Sequence, residues 1–458
     1  MVSSMPSLPL RTRIGYGMGS ITTGTYGTVP GLLLMPYLTD QLGVAAAVAG
    51  LIVFAPKAWD FVLNPIAGRI SDHAGESARR RRPFLIWAGL ALVLLFAAVF
   101  FGPHNAPVPA AIWVLLLSLA CASAYAFFQV PFLAMAAEIT DDYAERTRVM
   151  AWRVALLSFA ILLAGGASPL LVGLGDGVTG FRIMAVVMAG LLLLGVVGAW
   201  LGTRSAPNRR DESASGTLRE QLRIVWRNHD ARALGGAFAL QAVAIGMLLS
   251  AVLYVARYLV PVPGAATLAF VCFVAPVMLC TPVWRRVGLS RGKKQAYVLA
   301  IAVLALGLTC LSTSGTGELG LVLAAAGLTG VGYAGAQLFP LAMLPDVAAE
   351  DAKRTGENRI GMISGLWSGI ELLGLAVGAA VLGILLDLGG YIEATGTPIA
   401  QPDSVLWAIV LGVSIVPSVL CLLSLIPLTR YRLDEAMRAK EAKPAHSTGD
   451  SAEDAHRE

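Results

Sequence analysis

The sequence predicts an all-α membrane protein: twelve transmembrane helices in two pseudo-symmetric six-helix bundles. Three observations predict it. Hydrophobic residues make up 56% of the 458-residue chain and charged residues only 14%, where soluble domains carry about 25% charged residues. Apolar windows of about 20 residues, each long enough to cross a bilayer, recur along the whole length. A stretch of the first half also reappears in the second. Backbone groups in lipid must bond within their own segment, so isolated windows of this kind are read as helices.

The windows fall near 14–38, 44–70, 83–102, 109–137, 149–173 and 180–203, then 231–260, 264–288, 294–314, 318–345, 358–390 and 404–429. Thirty of the 34 Lys and Arg lie in the N-terminal arm, the even-numbered connections and the C-terminal tail, all on one side. The opposite connections hold only Arg182 and Arg257, while Lys57 and Arg153 lie within spans. The positive-inside rule then makes both termini cytoplasmic, in a plasma membrane or bacterial inner membrane. The net charge of +5 therefore reports topology. It is spread over short connections, which excludes nucleic acid as a partner. The expected partners are the lipid bilayer and a small-molecule substrate, and the expected state is a monomer.

The arm over residues 1–13 is short and polar, and the apolar stretch after it has spanning length without a clear cleavage site, so no cleavable signal peptide is expected. Cys121, Cys272, Cys280, Cys310 and Cys421 all fall inside spans and show neither a disulfide framework nor metal-ligand spacing. No metal or cofactor is expected. His73, His104, His229, His446 and His456 lie outside the spans. No Ser/His/Asp constellation accompanies them, so an enzyme is not expected.

The longest polar break divides the chain. It predicts an N-terminal bundle over 1–203, a cytoplasmic central loop over 204–230 with an amphipathic segment, a C-terminal bundle over 231–430 and a disordered tail over 431–458. The halves repeat. Tyr125, Ala126, Gln129, Leu133, Ala134 and Met135 recur as Tyr333, Ala334, Gln337, Leu341, Ala342 and Met343 at a constant offset of 208. The same register matches Glu138 with Asp346, Arg146 with Arg354 and Thr147 with Thr355. A shorter echo relates Pro65 to Arg69 with Pro282 to Arg286. Duplicated six-helix halves are the plan of alternating-access transporters, with substrate held near the midplane at their interface.

The second span carries Lys57, Asp60 and Asn64 at i, i+3 and i+7, on one face. A charge at the centre of a membrane helix costs about 2.5–3.5 kcal/mol on insertion scales, so it marks an ion or substrate path by default. Asp60 is the candidate cation or proton carrier, tuned by Lys57; the alternative is a pair that only neutralises itself. Gln129 and Gln337 offer both donor and acceptor to a hydroxyl-bearing substrate, or bond a neighbouring helix. Trp367 and Glu371, at i and i+4, could hold a sugar ring or a cationic group. Arg153 could pair with Glu371 or clamp an anion. Tyr16, Thr22, Thr23 and Tyr26 are further candidates, although such hydroxyls often bond their own helix. Asp72, Arg82, Glu138 and Arg146 are candidate cytoplasmic gate residues, or topology anchors alone.

Trp59-Asp60-x-x-x-Asn64-Pro65-x-x-Gly68 with the following Arg81-Arg82-Pro83 resembles the glycoside–pentoside–hexuronide cation symporters, the melibiose permease family within the major facilitator superfamily. Tyr16-Gly17-Met18-Gly19-Ser20, Tyr37-Leu38-Thr39-Asp40 and the connection from Glu138 to Arg148 support the resemblance, as do Gly365-Leu366-Trp367-Ser368 and Leu373-Gly374-Leu375-Ala376. It implies the major facilitator fold, a central cavity and cation-coupled uptake of sugars or glycosides. The family pattern has two aspartates for the coupling cation in the second span. Asp60 matches the first and Asn64 stands at the second. The family's sugar-binding carboxylates and tryptophan are replaced by Gly24, Gln129 and Leu133, and its lysine in the eleventh span by Leu372. One carboxylate suffices for a proton and is a poor sodium site, so H+ is expected over Na+. Two alternatives stay open: symport of a lysolipid or other amphipathic solute, and a non-transporting sensor or assembly factor on the same scaffold.

Overall fold

The computed structural model describes residues 8–74, 81–139, 143–204, 228–355, 360–393 and 399–433. The described residues form helices and connections, with no strand. In chain order the helices are α1 (Leu10–Asp40), α2 (Ala46–Ala74), α3 (Arg81–Val99), α4 (Pro107–Ile139), α5 (Tyr143–Val172) and α6 (Val178–Thr203). The second group is α7 (His229–Leu259), α8 (Ala265–Arg291), α9 (Lys293–Thr316), α10 (Leu319–Thr355), α11 (Ile360–Leu388) and α12 (Asp403–Thr429). Ten have spanning length and apolarity, and Leu85–Val99 of α3 is a shorter apolar segment. Two end or bend through π-helical turns, Val255–Leu259 in α7 and Leu411–Ile415 in α12. The amphipathic segment expected within 204–230 and the tail beyond 433 lie outside the described residues.

The helices pack as two groups. In the first, α1 lies on α5 and α6, α3 on α4 and α6, and α2 on α4. In the second, α10 lies on α8 and α9, and α7 on α11 and α12. The groups meet along α2 with α11, α5 with α8, and α1 with α7.

Lipid tails are as apolar as leucine, so helices associate through close packing and interhelical hydrogen bonds. Glycine supplies the packing. A Cβ on Gly15 of α1 would sit 2.4 Å from the Gly202 Cα of α6. Between the groups, a Cβ on Gly50 would lie 3.0 Å from the Ala380 Cα, and one on Gly383 2.5 Å from the Ala46 carbonyl. Buried polar side chains supply the bonds. Gln241 of α7 donates to Ser424 of α12 at 3.0 Å and accepts from Tyr297 of α9 at 3.0 Å. Lys293 at the start of α9 pairs with Asp346 of α10 at 2.5 Å.

Gly15→Val forces α1 and α6 apart and is expected to cost roughly 3 kcal/mol, at the upper end of core overpacking. Gly190→Ala, facing open space in α6, leaves stability unchanged or slightly raised. Thermal unfolding midpoints of the purified variants check both.

Candidate functional site

α2 brings Lys57 and Asp60 onto the wall of a cavity of about 70 Å³. α1 contributes Tyr26 and Leu34, α3 Phe96 and Val99, α4 Ser118, Cys121 and Tyr125, and α11 Leu372. Tyr26 and Tyr125 meet with ring centroids 4.5 Å apart. Most of the wall is apolar, so each charge on it is conspicuous.

Asp60 is 4% exposed and its Oδ1 has no hydrogen-bond partner. The Asn64 Oδ1, one turn further along α2, is also without a partner. Lys57 is the charge that Asp60 feels most, yet the two do not close into an ion pair. Lys57 also feels Glu371 of α11, so one ammonium is within electrostatic reach of a carboxylate of each half. Glu371 is held in turn: the Gln337 amide donates to it at 3.0 Å and to the Tyr333 hydroxyl at 2.6 Å. Gln337 thus bonds a neighbouring helix through Glu371. Its repeat mate Gln129 is half-buried on α4, one turn from Tyr125.

The other candidates are placed as follows. Arg153 of α5 does not reach Glu371. Its charge acts on Tyr16 and Tyr125, and its Nε is buried without a partner. Tyr16 is fully buried and stacked on Phe132 at 4.7 Å, with its hydroxyl unpartnered. Thr23 bonds the Ser20 carbonyl of its own helix at 3.2 Å, and Thr22 bonds the Leu192 carbonyl of α6 at 3.1 Å. Trp367 is 5% exposed and stacked on Phe238 at 4.1 Å, so one ring face is covered, while its Nε1 has no acceptor. The side chains of Asp72, Arg82, Glu138 and Arg146 lie outside the described residues. Among the described residues no group of three His, Cys, Asp or Glu could hold a metal ion.

Sequence reasoning did not name Ser118, Cys121 or Tyr125 as wall residues. Tyr125 had a signal: it starts the Tyr-to-Gln repeat whose second copy, Tyr333 and Gln337, is hydrogen-bonded here. Ser118 and Cys121 have none, since small residues on an apolar helix are unremarkable.

The model of the family described as MFS/sugar transport protein matches residues 15–435. The chain belongs to that family. It is therefore an integral, multi-pass membrane transporter of the major facilitator superfamily, and not an enzyme. Among its relatives, an uncharacterized symporter of Synechocystis sp. is 25% identical, covering 95% of this chain and 96% of that one. The glucuronide carrier protein homolog of Escherichia coli is 24% identical over 93% of each. Among solved structures, a bacterial homolog of the human lysosomal transporter Spinster, 16% identical, aligns with a TM-score of 0.64 over 95% of this chain and 98% of that one. It shares the fold.

Lys57 supplies the counter-charge for both carboxylates. Removing one partner of a buried pair strands the other, whereas removing both is far milder. Lys57→Met is expected to lower transport at least about tenfold by stranding two negative charges. Lys57→Met with Glu371→Gln recovers part of the folded, monodisperse yield. Size-exclusion profiles and thermal midpoints across the double-mutant cycle check this.

Proposed function

We propose that this transporter is a symporter that couples the entry of a sugar or glycoside to a proton carried by Asp60, with both termini on the cytoplasmic side. The observation that carries the reading is Asp60 itself: a buried carboxylate with an unpartnered oxygen, on the wall of a cavity, in a chain of a sugar-transport family. Intramembrane carboxylates of this kind serve proton relays and ion paths.

The coupling follows from the position of Lys57. With Asp60 ionised, the ammonium is shared between Asp60 in the first half and Glu371 in the second. With Asp60 protonated, Glu371 alone holds it, and the electrostatic link between α2 and α11 strengthens. The proton thereby changes how the two halves attract one another, as alternating access requires. Asn64 adds an amide oxygen but no charge, which suits a proton better than sodium.

The substrate takes the polar groups the fold leaves open. We assign Arg153, the Tyr16 hydroxyl and Gln129 of the first half to it as candidate contacts, and Glu371, Gln337 and the Trp367 Nε1 of the second, although all of them lie off the wall of the cavity; Thr23 is a weaker candidate because its hydroxyl is already bonded. The relative named a glucuronide carrier protein homolog makes a sugar acid a natural ligand to test, with Arg153 as the proposed partner of its carboxylate.

In proteoliposomes, uptake of aryl glucosides and glucuronides is expected to follow an imposed pH gradient and to be indifferent to sodium. Asp60→Asn abolishes gradient-driven accumulation while leaving downhill exchange. Uptake that follows a sodium gradient alone sinks the proton assignment, and no uptake of any glycoside or glucuronide sinks the substrate class.

A further inference from the structure

A second cluster of polar groups, none of them on the cavity wall, lies at the end of the bundle where α1 turns into α2. We propose that Asp40, Arg257 and Tyr391 form a lock that holds the two halves together at this end, and that transport requires it to open and reclose. The sidedness given to it here rests on the topology proposed above, which places this end outside the cytoplasm.

Asp40 is the last residue of α1 and is 2% exposed. Two of the groups that satisfy its carboxylate come from the other half of the molecule. The Arg257 guanidinium, on the π-helical turn that ends α7, donates to Oδ2, and the Tyr391 hydroxyl, just after α11, donates to Oδ1. Thr39 donates to Oδ1 at 2.8 Å and shares its hydroxyl with Tyr254 of α7 at 2.7 Å. The Tyr258 and Tyr391 hydroxyls lie 2.9 Å apart, so three tyrosines of the second half surround one carboxylate of the first. Opening this end pulls Asp40 away from Arg257 and Tyr391 together.

Neighbouring contacts share the geometry. Ser250 of α7 donates to the Gly31 carbonyl of α1 at 3.4 Å, and Thr267 of α8 to the Gly166 carbonyl of α5 at 2.8 Å. The Gly50 and Gly383 approach described above also lies toward this end. A buried ion pair adds little net stability, but losing one partner strands a charge in low dielectric. Water can relieve that charge only when the end opens. Removing Arg257 therefore penalises the closed state and spares the open one. A π-turn is a common device for aiming a functional side chain, and here it presents Arg257 to Asp40.

The test uses the full-length protein with its five cysteines replaced and Ser250→Cys as reporter, buried between α1 and α7 in the closed state. A membrane-impermeant maleimide is applied to right-side-out and to inside-out vesicles. Arg257→Gln is expected to raise the labelling rate from the outside about tenfold or more, and Tyr391→Phe, a milder change that retains folding, about threefold. The swap Asp40→Arg with Arg257→Asp returns the rate toward the parent's. Labelling that stays at the parent's rate from both faces in Arg257→Gln and Tyr391→Phe overturns the lock; if Arg257→Gln does not accumulate, Tyr391→Phe decides alone. An increase seen only in inside-out vesicles leaves the lock standing and overturns the proposed topology.

Discussion

Every polar group carried into hydrocarbon must find its partner inside the protein, and the rest of this structure is arranged around that constraint. Beside the bonds that join the halves, two further kinds of polar side chain stand out among the described residues. One kind is bonded between helices of one half: Gln241 with Ser424 and Tyr297, Thr309 with Ser418 at 2.8 Å, and Trp284 with the Val331 carbonyl at 2.7 Å. These fix how helices dock, because apolar contact alone gives little preference in lipid. The other kind is buried with an atom left open; among the described residues it includes Asp60, Asn64, Tyr16, Arg153 and Trp367, and also Ser20, Thr25, Gln41, Arg182 and Ser314. Of these, Asp60 lies on the wall of the cavity, on the helix that meets α11 of the other half. A polar atom left open inside a membrane protein is costly, which makes Asp60, a carboxylate on a cavity wall, the conspicuous member of this set.

The duplicated halves have diverged at that meeting place. In the second half the repeated Tyr-to-Gln pair is consumed internally, Gln337 bonding both Tyr333 and Glu371. In the first half Tyr125 lies on the cavity wall with Asp60 nearby, and Gln129 does not close an equivalent triad. One copy is a preorganised bracket for a carboxylate, and the other leaves its carboxylate open. Duplication supplies two similar frames, and function uses their difference.

Much of this was legible in the sequence, for physical reasons. Bilayer-length apolar windows fixed the helix count, because only helices satisfy their own backbone in lipid. The spacing of Lys57, Asp60 and Asn64 placed them on one stripe, because helix periodicity leaves no other choice. The bond partners were not legible. Trp367 and Glu371 share a face by spacing, yet the Trp367 ring packs on Phe238 from α7, more than a hundred residues away. Asp40 sits at a helix end, where periodicity gives no signal, and Arg257 is 217 residues distant. A hint existed: Arg182 and Arg257 are the two basic residues on a side otherwise free of them. The structure gives each a task, Arg182 over the Phe101 ring at 5.5 Å and Arg257 on Asp40.

The charge count at the central site limits what can cross. If all four groups are ionised, Lys57 and Arg153 bring two positive charges and Asp60 and Glu371 two negative, and the set is neutral. A proton on Asp60 leaves one net positive charge in a medium where unbalanced charge is costly. A neutral sugar does not cancel it, and the loaded site then carries the excess through the conformational change. A sugar acid would cancel it, its carboxylate lying against Arg153 on the reading proposed above, and the set would be neutral again. A second carboxylate in place of Asn64 would tip the empty site to one net negative charge, which a cation and a neutral sugar together would balance. On the proposed coupling, an amide in place of an acid on α2 would change more than the affinity for a cation: it would shift the charge of the substrate that balances the loaded state.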